Sequence, residues 1–574
     1  MTNQLKTEEH KELYIPIALI GILAVLSYGR LLFLQGIFED DNCWLLSVYS
    51  SKNLQEFLST GWIELNRIPQ GTFLYYFLKL HKTTDYAYII WQSINLALQV
   101  ASPILLFLLA NNLFKDKHPL SFFIACSLII YPIDTTVPVF SNIYYRIGII
   151  LTLLSLYLTK RALAENIRWP LLIPALLLSG ISHYVLIEGT MAIEPARLAV
   201  IGYVFYKKGM ESKQLIKKSL AVWSPFLILC IPLVIYKLIF KPYGIYEGTY
   251  SLSLSFVFDW QMQKELLKTL LFQNWYVFAK NYISHVTSWS ILLSISAVVS
   301  VLIFYLMKWK SFYYNRNIAP CGMHYNFLSK FKESSTPVLI AFILGIIFLI
   351  PPVIMYELAG RVPIFGVNSR HGVILQIGYT FLLGSVLYTF FNMLYYAYSK
   401  LKTATILVAI FIGLGVFFNN INLDLYFNSW QKQKQFWQAF TKRFQALPES
   451  ATFFIDAKAK NQPYSYNLDT SYDLELPLNL LYAKSDKPEE FRKHRALAPD
   501  EWQLIEKHLE SPETAFERLT HWGKDIIKIK EFIFIRYRED EFLVNREIFQ
   551  QHSDILMPLF PAAYPLRHKL KGFY

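Results

Sequence analysis

The run FEDDNCW sets Glu39, Asp40 and Asp41 side by side, directly after a long apolar segment that begins near Tyr14. One carboxylate at such a boundary does no more than solvate a helix end. Adjacent acids repel one another, which raises the pKa of one of them and suits a general base or a cation ligand at neutral pH. Hard divalent ions such as Mg or Mn prefer oxygen donors, so Asp40 and Asp41 are candidate ligands, although two adjacent acids alone make an incomplete metal site. Glu188 and Glu194 form a second group of interest, because ionisable side chains at or near membrane depth are costly and normally face a cavity or a partner. Glu194 and Arg197 are three residues apart, and mutual neutralisation on one helical face is the expected role of that pair.

The elements that must hold these residues are membrane helices. The chain has 574 residues, of which 54% are hydrophobic, 17% aromatic and only 17% charged. That composition excludes an ordinary water-soluble multidomain protein. Apolar segments long enough to span a bilayer recur at 14–38, 86–114, 119–139, 143–160, 169–187, 189–206, 219–240, 286–307, 336–356, 373–396 and 404–421, about 11 in all. The net charge of +13 comes mostly from Lys and Arg in short loops. With a cytoplasmic amino terminus these loops fall on the inner side, which is the positive-inside pattern rather than a nucleic-acid surface. The first apolar run is too long for a signal-peptide core and is expected to be retained. The cysteines Cys43, Cys126, Cys230 and Cys321 are far apart and suggest neither a disulfide framework nor a metal-binding spacing.

The expected fold class is therefore an α-helical polytopic membrane protein with two parts. Residues 1–421 form the transmembrane part, with a first outer loop at 39–85, and 422–574 form a small α+β domain outside the cytoplasm. This topology collects 39–85, 241–285, 357–372 and the carboxyl-terminal tail on the outer face. Within the first loop, Trp44, Leu45, Val48, Leu54, Phe57 and Leu58 recur at helical spacing, as in one helix lying in the interface. GTFLYYFLKL is too short to span. FVFDWQMQKELLKTLLFQNWYVFAKN reads as an amphipathic outer helix with Trp260 and Trp275 as interfacial anchors. In the tail, SWQKQKQFWQAFTKRFQAL reads as an amphipathic helix, SATFFIDA and KEFIFIRYREDEFLVN as strands, and DKPEEFRKHRALAPDEWQLIEKHL as charged and helical. Arg30 is expected to snorkel to the interface, while His183 and His285, near outer ends, carry no assigned role.

The stretch from Phe38 to Leu80 resembles the first outer loop of GT-C-fold integral-membrane glycosyltransferases, the group related to protein O-mannosyltransferases and bacterial aminoarabinose transferases. Asp40, Asp41 and Trp44 match its acidic–aromatic motif, and Pro69 stands where the group carries a proline pair, with Gln70 in place of the second proline. Glu188, Glu194 and Arg197 in IEGTMAIEPARLAV, and Ser369, Arg370 and His371 in NSRHGVIL, are similar to further stretches of that group. The resemblance implies a polyprenyl-phosphate-linked sugar donor, an outer-face acceptor (glycan, lipid or protein) and transfer with inversion. Asp40 is then the expected base, Asp41 its tuning or metal-binding neighbour, and Glu39 a solvated helix end. Arg361, Arg370 and His371, with Arg67 and Arg146, are the expected partners of the leaving phosphate, beside Glu188. Arg361 and Arg370 equally suit membrane-lipid headgroups. A transporter or flippase for a lipid-linked saccharide and an O-antigen polymerase or ligase are the competing functions.

Overall fold

The computed structural model describes residues 2–38, 40–114, 118–131, 133–164, 167–247, 259–270, 273–305, 327–359, 365–398, 401–447, 451–457, 468, 470–498, 515–520, 523–528, 532–538 and 541–544. Glu39, Arg361 and Cys321, and with them any role expected of them, lie outside these residues.

The protein is a helical multi-pass membrane protein. Among the described residues eight helices are long and apolar enough to cross a bilayer: Leu13–Phe33, Ala87–Leu113, Phe140–Ala162, Trp169–Leu186, Ser212–Ile239, Ser335–Leu358, Leu375–Leu394 and Thr403–Arg443. Three of the expected segments hold shorter helices: His118–Ile130, Glu194–Lys207 and Ser288–Phe304. In chain order the helices used below are α1 (Thr2–Tyr28), α2 (Asp40–Ser50), α3 (Leu54–Ser59), α4 (Ile68–Thr83), α5 (Ala87–Leu113), α6 (His118–Ile130), α7 (Ile143–Ala162), α8 (Trp169–Gly180), α9 (Glu194–Lys207) and α10 (Ser212–Ile239). They continue with α11 (Trp260–Leu270), α12 (Gln273–Asn281), α13 (Ser288–Phe304), α14 (Phe327–Leu358), α15 (Leu375–Tyr398), α16 (Leu401–Arg443) and α17 (Ser471–Tyr482).

Helix α6 has 13 residues and is about 20 Å long, well short of a bilayer core. It survives at depth because protein surrounds it: α15 and α16 approach it through glycines. A Cβ at Gly384 would lie 2.5 Å from Ile124 Cα, and one at Gly415 2.5 Å from Ile130 Cα. Small residues at these crossings let the backbones meet.

After α6 the chain runs without regular structure to the turn Phe140–Asn142 that opens α7. A buried irregular segment must have its backbone groups paired, and here amide side chains from neighbouring helices do the pairing. Asn95 and Gln92 of α5 donate to Val137 O (2.5 Å) and Pro138 O (2.9 Å). Asn419 and Asn422 of α16 donate to Ile129 O (2.6 Å) and Thr135 O (3.0 Å), and Asn274 of α12 to Ile133 O (3.3 Å). Trp275 Nε1 donates to Ile130 O at 3.2 Å, and its ring stacks on Phe418. Trp275 is thus a packing residue rather than an interfacial anchor, whereas Trp260 stays exposed. The amphipathic stretch around them is helical over Trp260–Leu270 (α11) and Gln273–Asn281 (α12).

The expected interfacial helix over 44–58 is likewise two, α2 and α3. Asn53 breaks it, with extended backbone and a side chain that accepts from Glu56 N to cap α3. Nor does α2 lie in the interface. It is almost wholly buried, and Ser47, Ser50 and Ser51 turn their hydroxyls back onto its own carbonyls.

Helix α16, 43 residues long and about 65 Å from end to end, outruns the bilayer, so the boundary expected at 421–422 falls inside one continuous helix. Its emergent half buries Phe436, Trp437 and Phe440 against a sheet of β1 (Thr452–Asp456), β2 (Arg495–Leu497), β5 (Phe532–Arg538) and β6 (Glu541–Val544), in the order β2-β1-β5-β6. The β1–β2 and β1–β5 pairings are parallel and β5–β6 is antiparallel; β3 (Ala515–Thr520) and β4 (Gly523–Lys528) form a separate antiparallel pair. Arg495, Ala496 and Leu497 pair with Thr452, Phe453 and Phe454, so this part of the stretch expected to be helical is strand, and residues 499–514 lie outside the described residues. One hydrophobic core joins this sheet and α17 to α2, α3 and α4, so the carboxyl-terminal part is built onto the first loop rather than appended to it.

Replacing Gly384 or Gly415 with Leu forces α6 away from α15 or α16. The expected cost is on the order of 1–3 kcal/mol or more, read as a lower melting temperature of detergent-solubilised protein; an unchanged value contradicts the close crossing.

Candidate functional site

The two adjacent aspartates do different work. Consecutive residues of a helix do not share a face, and α2 turns Asp41 inward. Asp41 is fully buried. Its Oδ1 accepts from Ser141 N (2.7 Å) and its Oδ2 from Phe140 N (3.3 Å) and Phe38 N (3.4 Å). The first two donors belong to the turn that opens α7, where amides have no partner within the helix. Asp41 therefore caps α7 from a distant point in the chain. Burial pushes its carboxyl up to about 8, against the opposing pull of the Ser141, Phe140 and Phe38 donors. The expected tuning or metal-binding role is replaced by a structural one. Asp41 accepts from amides and Asp40 from an arginine, and the described residues contain no group of three or more His, Cys, Asp or Glu side chains that could hold a metal ion.

Asp40 is partly exposed and accepts from Arg370 NH1. The segment Val367–Val373 that carries Arg370 follows Gly366, whose φ of 95° is one that glycine adopts without strain. The three residues of the Ser-Arg-His motif point three ways. Buried Ser369 accepts from Thr135 N at 2.8 Å and pairs with the Thr135 hydroxyl at 2.8 Å. Arg370 reaches Asp40, and His371 packs between the rings of Tyr145 (6.3 Å) and Tyr356 (5.7 Å).

A cavity of about 160 Å³ is walled by Leu65, Ile187, Met191, Phe240, Met355, Tyr144, Tyr145, Tyr356 and His371, the residue that follows Arg370. Its polar wall is built around Glu188. Arg67 Nε donates to Glu188 Oε1 at 2.8 Å, Lys237 Nζ lies 3.1 Å from the same oxygen, and Gln70 Nε2 donates to Oε2 at 3.3 Å. Burial pushes the Glu188 carboxyl up, but the Arg67 and Lys237 cations outweigh it and hold the group down at about 2. The first loop and the end of α10 are tied together around this cluster. Asn66 Nδ2 donates to Phe240 O and Lys241 O, both at 3.0 Å, and Lys237 Nζ donates to Asn66 O at 3.1 Å. Asn66 itself has φ 54°, a conformation that asparagine tolerates. Tyr144 lines the cavity with Arg67, and its ring packs against that of Tyr145.

Other expected site residues are placed elsewhere. Arg146 is buried and held through both terminal nitrogens: its NH2 donates to Asp134 Oδ2 (2.8 Å) and Thr136 O (2.7 Å), its NH1 to Asn95 Oδ1 (3.2 Å). It braces the irregular segment before α7 and has no access to a phosphate. Arg30 does not snorkel; its NH2 pairs with Asp424 Oδ1 at 2.7 Å, and Asp424 also accepts from Thr287 at the start of α13. Glu194 and Arg197 neutralise each other at 2.6 Å, with Ser179, Thr159 and His183 completing the network. His285 lies against Asn428. Sequence reasoning missed Lys237, Gln70, Tyr144 and Tyr356; a lone lysine inside the apolar run IPLVIYKLIF was the available signal for the first of these.

No family model matches this chain, nor does any curated protein or solved structure. Fold and site thus define a class only: a helical multi-pass membrane protein with a mostly apolar cavity that carries two cations in its wall and is lined in part by the first long loop.

Because Asp41 holds its proton more tightly when folded than at the ordinary carboxyl value near 4, its contribution to stability is complete below that value and is lost as pH rises through about 8. The melting temperature of the wild type should fall over this window more steeply than that of Asp41→Asn. Parallel profiles would show that Asp41 does not titrate there.

Proposed function

We propose that this protein is a membrane glycosyltransferase of GT-C-like architecture, with about 11 spans and an extracytoplasmic carboxyl-terminal domain, that transfers a hexose or pentose from a polyprenyl-phosphate donor to an acceptor at the outer face of the plasma or inner membrane. The observation that carries this reading is an apolar cavity headed by Arg67 and Lys237 whose wall includes His371, the residue after the Arg370 that pairs with Asp40. An isoprenoid phosphate needs both an apolar wall for its chain and cations for its head group. A water-accessible carboxylate next to them supplies the base.

Asp40 takes the proton of the acceptor hydroxyl as that oxygen attacks the anomeric carbon. The new C–O bond forms as the bond from the anomeric carbon to the phosphate oxygen breaks, with inversion, and the electron pair departs on the polyprenyl phosphate. Arg67 and Lys237 stabilise the charge that collects there, and Arg370 orients Asp40. The acceptor is a glycan, lipid or protein, and Asn42 of α2, bonded to Asp473 of α17 at 2.8 Å, joins the helix that carries Asp40 to the carboxyl-terminal part.

The test is release of undecaprenyl phosphate, and sugar transfer, from a panel of undecaprenyl-phosphate-linked hexoses and pentoses in membranes carrying the protein. Asp40→Asn should lower transfer by roughly 10²–10⁴-fold while expression and melting temperature hold. Undiminished transfer in that variant rules out Asp40 as base. Translocation of the lipid by the wild type without sugar transfer would identify a flippase instead.

A further inference from the structure

Glu188 occupies the point where two cations from separate elements converge. Arg67 precedes α4 and Lys237 ends α10, yet both contact the same oxygen, Oε1, at 2.8 and 3.1 Å. The other oxygen accepts from Gln70 at 3.3 Å. To a guanidinium and an ammonium, a carboxylate and a phosphate present the same kind of charged acceptor. The Glu188 side chain keeps 16% exposure and forms part of the cavity wall, so it is neither sealed off nor free in water.

We propose that Glu188 is a built-in counter-ion seated where an anionic phosphate head group binds, and that binding exchanges its carboxylate for the phosphate on Arg67 and Lys237. This rests on the reading that the cavity takes a lipid phosphate, and it adds what fills the head-group seat between turnovers. The exchange leaves no cation unpaired, which avoids the large penalty of stranding a buried charge. It is a side-chain rotation, because the backbone around Glu188 is held. A Cβ on Gly189 would come within 2.5 Å of Ile374 Cδ1, and the Thr190 hydroxyl pairs with Ser182 (3.0 Å) and His183 Nδ1 (2.8 Å). The displaced carboxylate turns to the open mouth of the cavity, and its return helps expel the phosphate product.

Purified wild-type, Glu188→Gln and Arg67→Gln proteins are titrated in detergent with undecaprenyl phosphate, phosphatidylglycerol and inorganic phosphate. Exchange predicts that Glu188→Gln tightens binding of undecaprenyl phosphate by roughly tenfold and that Arg67→Gln weakens it by a similar factor. A parallel gain for phosphatidylglycerol or inorganic phosphate supports the same exchange and identifies the seat as general for lipid or free phosphate. Weaker binding in Glu188→Gln, with Arg67→Gln also weakened, overturns the exchange and leaves the lipid-phosphate reading intact. Binding indifferent to Arg67→Gln overturns that reading as well. Should Glu188→Gln fail to fold, infrared difference spectra of the wild type decide: the carboxylate stretch should shift when undecaprenyl phosphate is added, and unchanged carboxylate bands contradict displacement.

Discussion

Backbone amides and carbonyls buried at membrane depth need partners, and the irregular segment between α6 and α7 concentrates that demand. Asn95, Gln92, Asn274 and Asn422 satisfy its carbonyls, Asn419 satisfies one at the end of α6, and Asp41 satisfies its last amides. Arg146 and Asp134 brace it from within. The same segment presents Thr135 to Ser369. Asp41 is the neighbour of Asp40, and Ser369 the neighbour of Arg370. The segment thus fixes both halves of the Asp40–Arg370 pair from one anchor, and the geometry of the proposed base follows from backbone bookkeeping one residue away on each side.

Opposite charges do the rest of the positioning. Arg30 with Asp424 ties α1 to α16 and, through Thr287, to α13. Glu194 with Arg197 holds the start of α9 against α8 and α7 through Ser179 and Thr159. Arg67 and Lys237 with Glu188 join the first loop, the end of α10 and the segment before α9. The first two clusters tie helices together; the third forms part of the wall of the described cavity, which is the physical reason to assign it to a ligand.

Residue type, predicted side and resemblance marked Asp40, Asp41, Arg67, Arg146, Glu188, Arg361, Arg370 and His371 as candidates; the structure brings Arg67, Glu188 and His371 to one cavity wall and pairs Arg370 with Asp40. The helices were legible because their apolar runs are long. What sequence could not show was partner choice. Asp41 and Arg146 have the same types as Asp40 and Arg67, and only three-dimensional proximity reveals that amides and Asp134 engage them. The break at Asn53 depends on a local side-chain cap that competes with a good helical pattern. Lys237 was hidden as an ordinary lysine near the end of a span, and the merging of α17 and the sheet with the first loop is a long-range packing effect with no local signature.

The most direct test of the central claim, that one cavity joins a lipid phosphate to the Asp40–Arg370 pair, is a cryo-electron-microscopy structure of the protein in nanodiscs with undecaprenyl phosphate. The account predicts phosphate density against Arg67 and Lys237, the isoprenoid passing Met191 and Met355, and Asp40 facing the head group across Tyr144. Lipid phosphate bound elsewhere, with the cavity empty and Glu188 still on both cations, would contradict it.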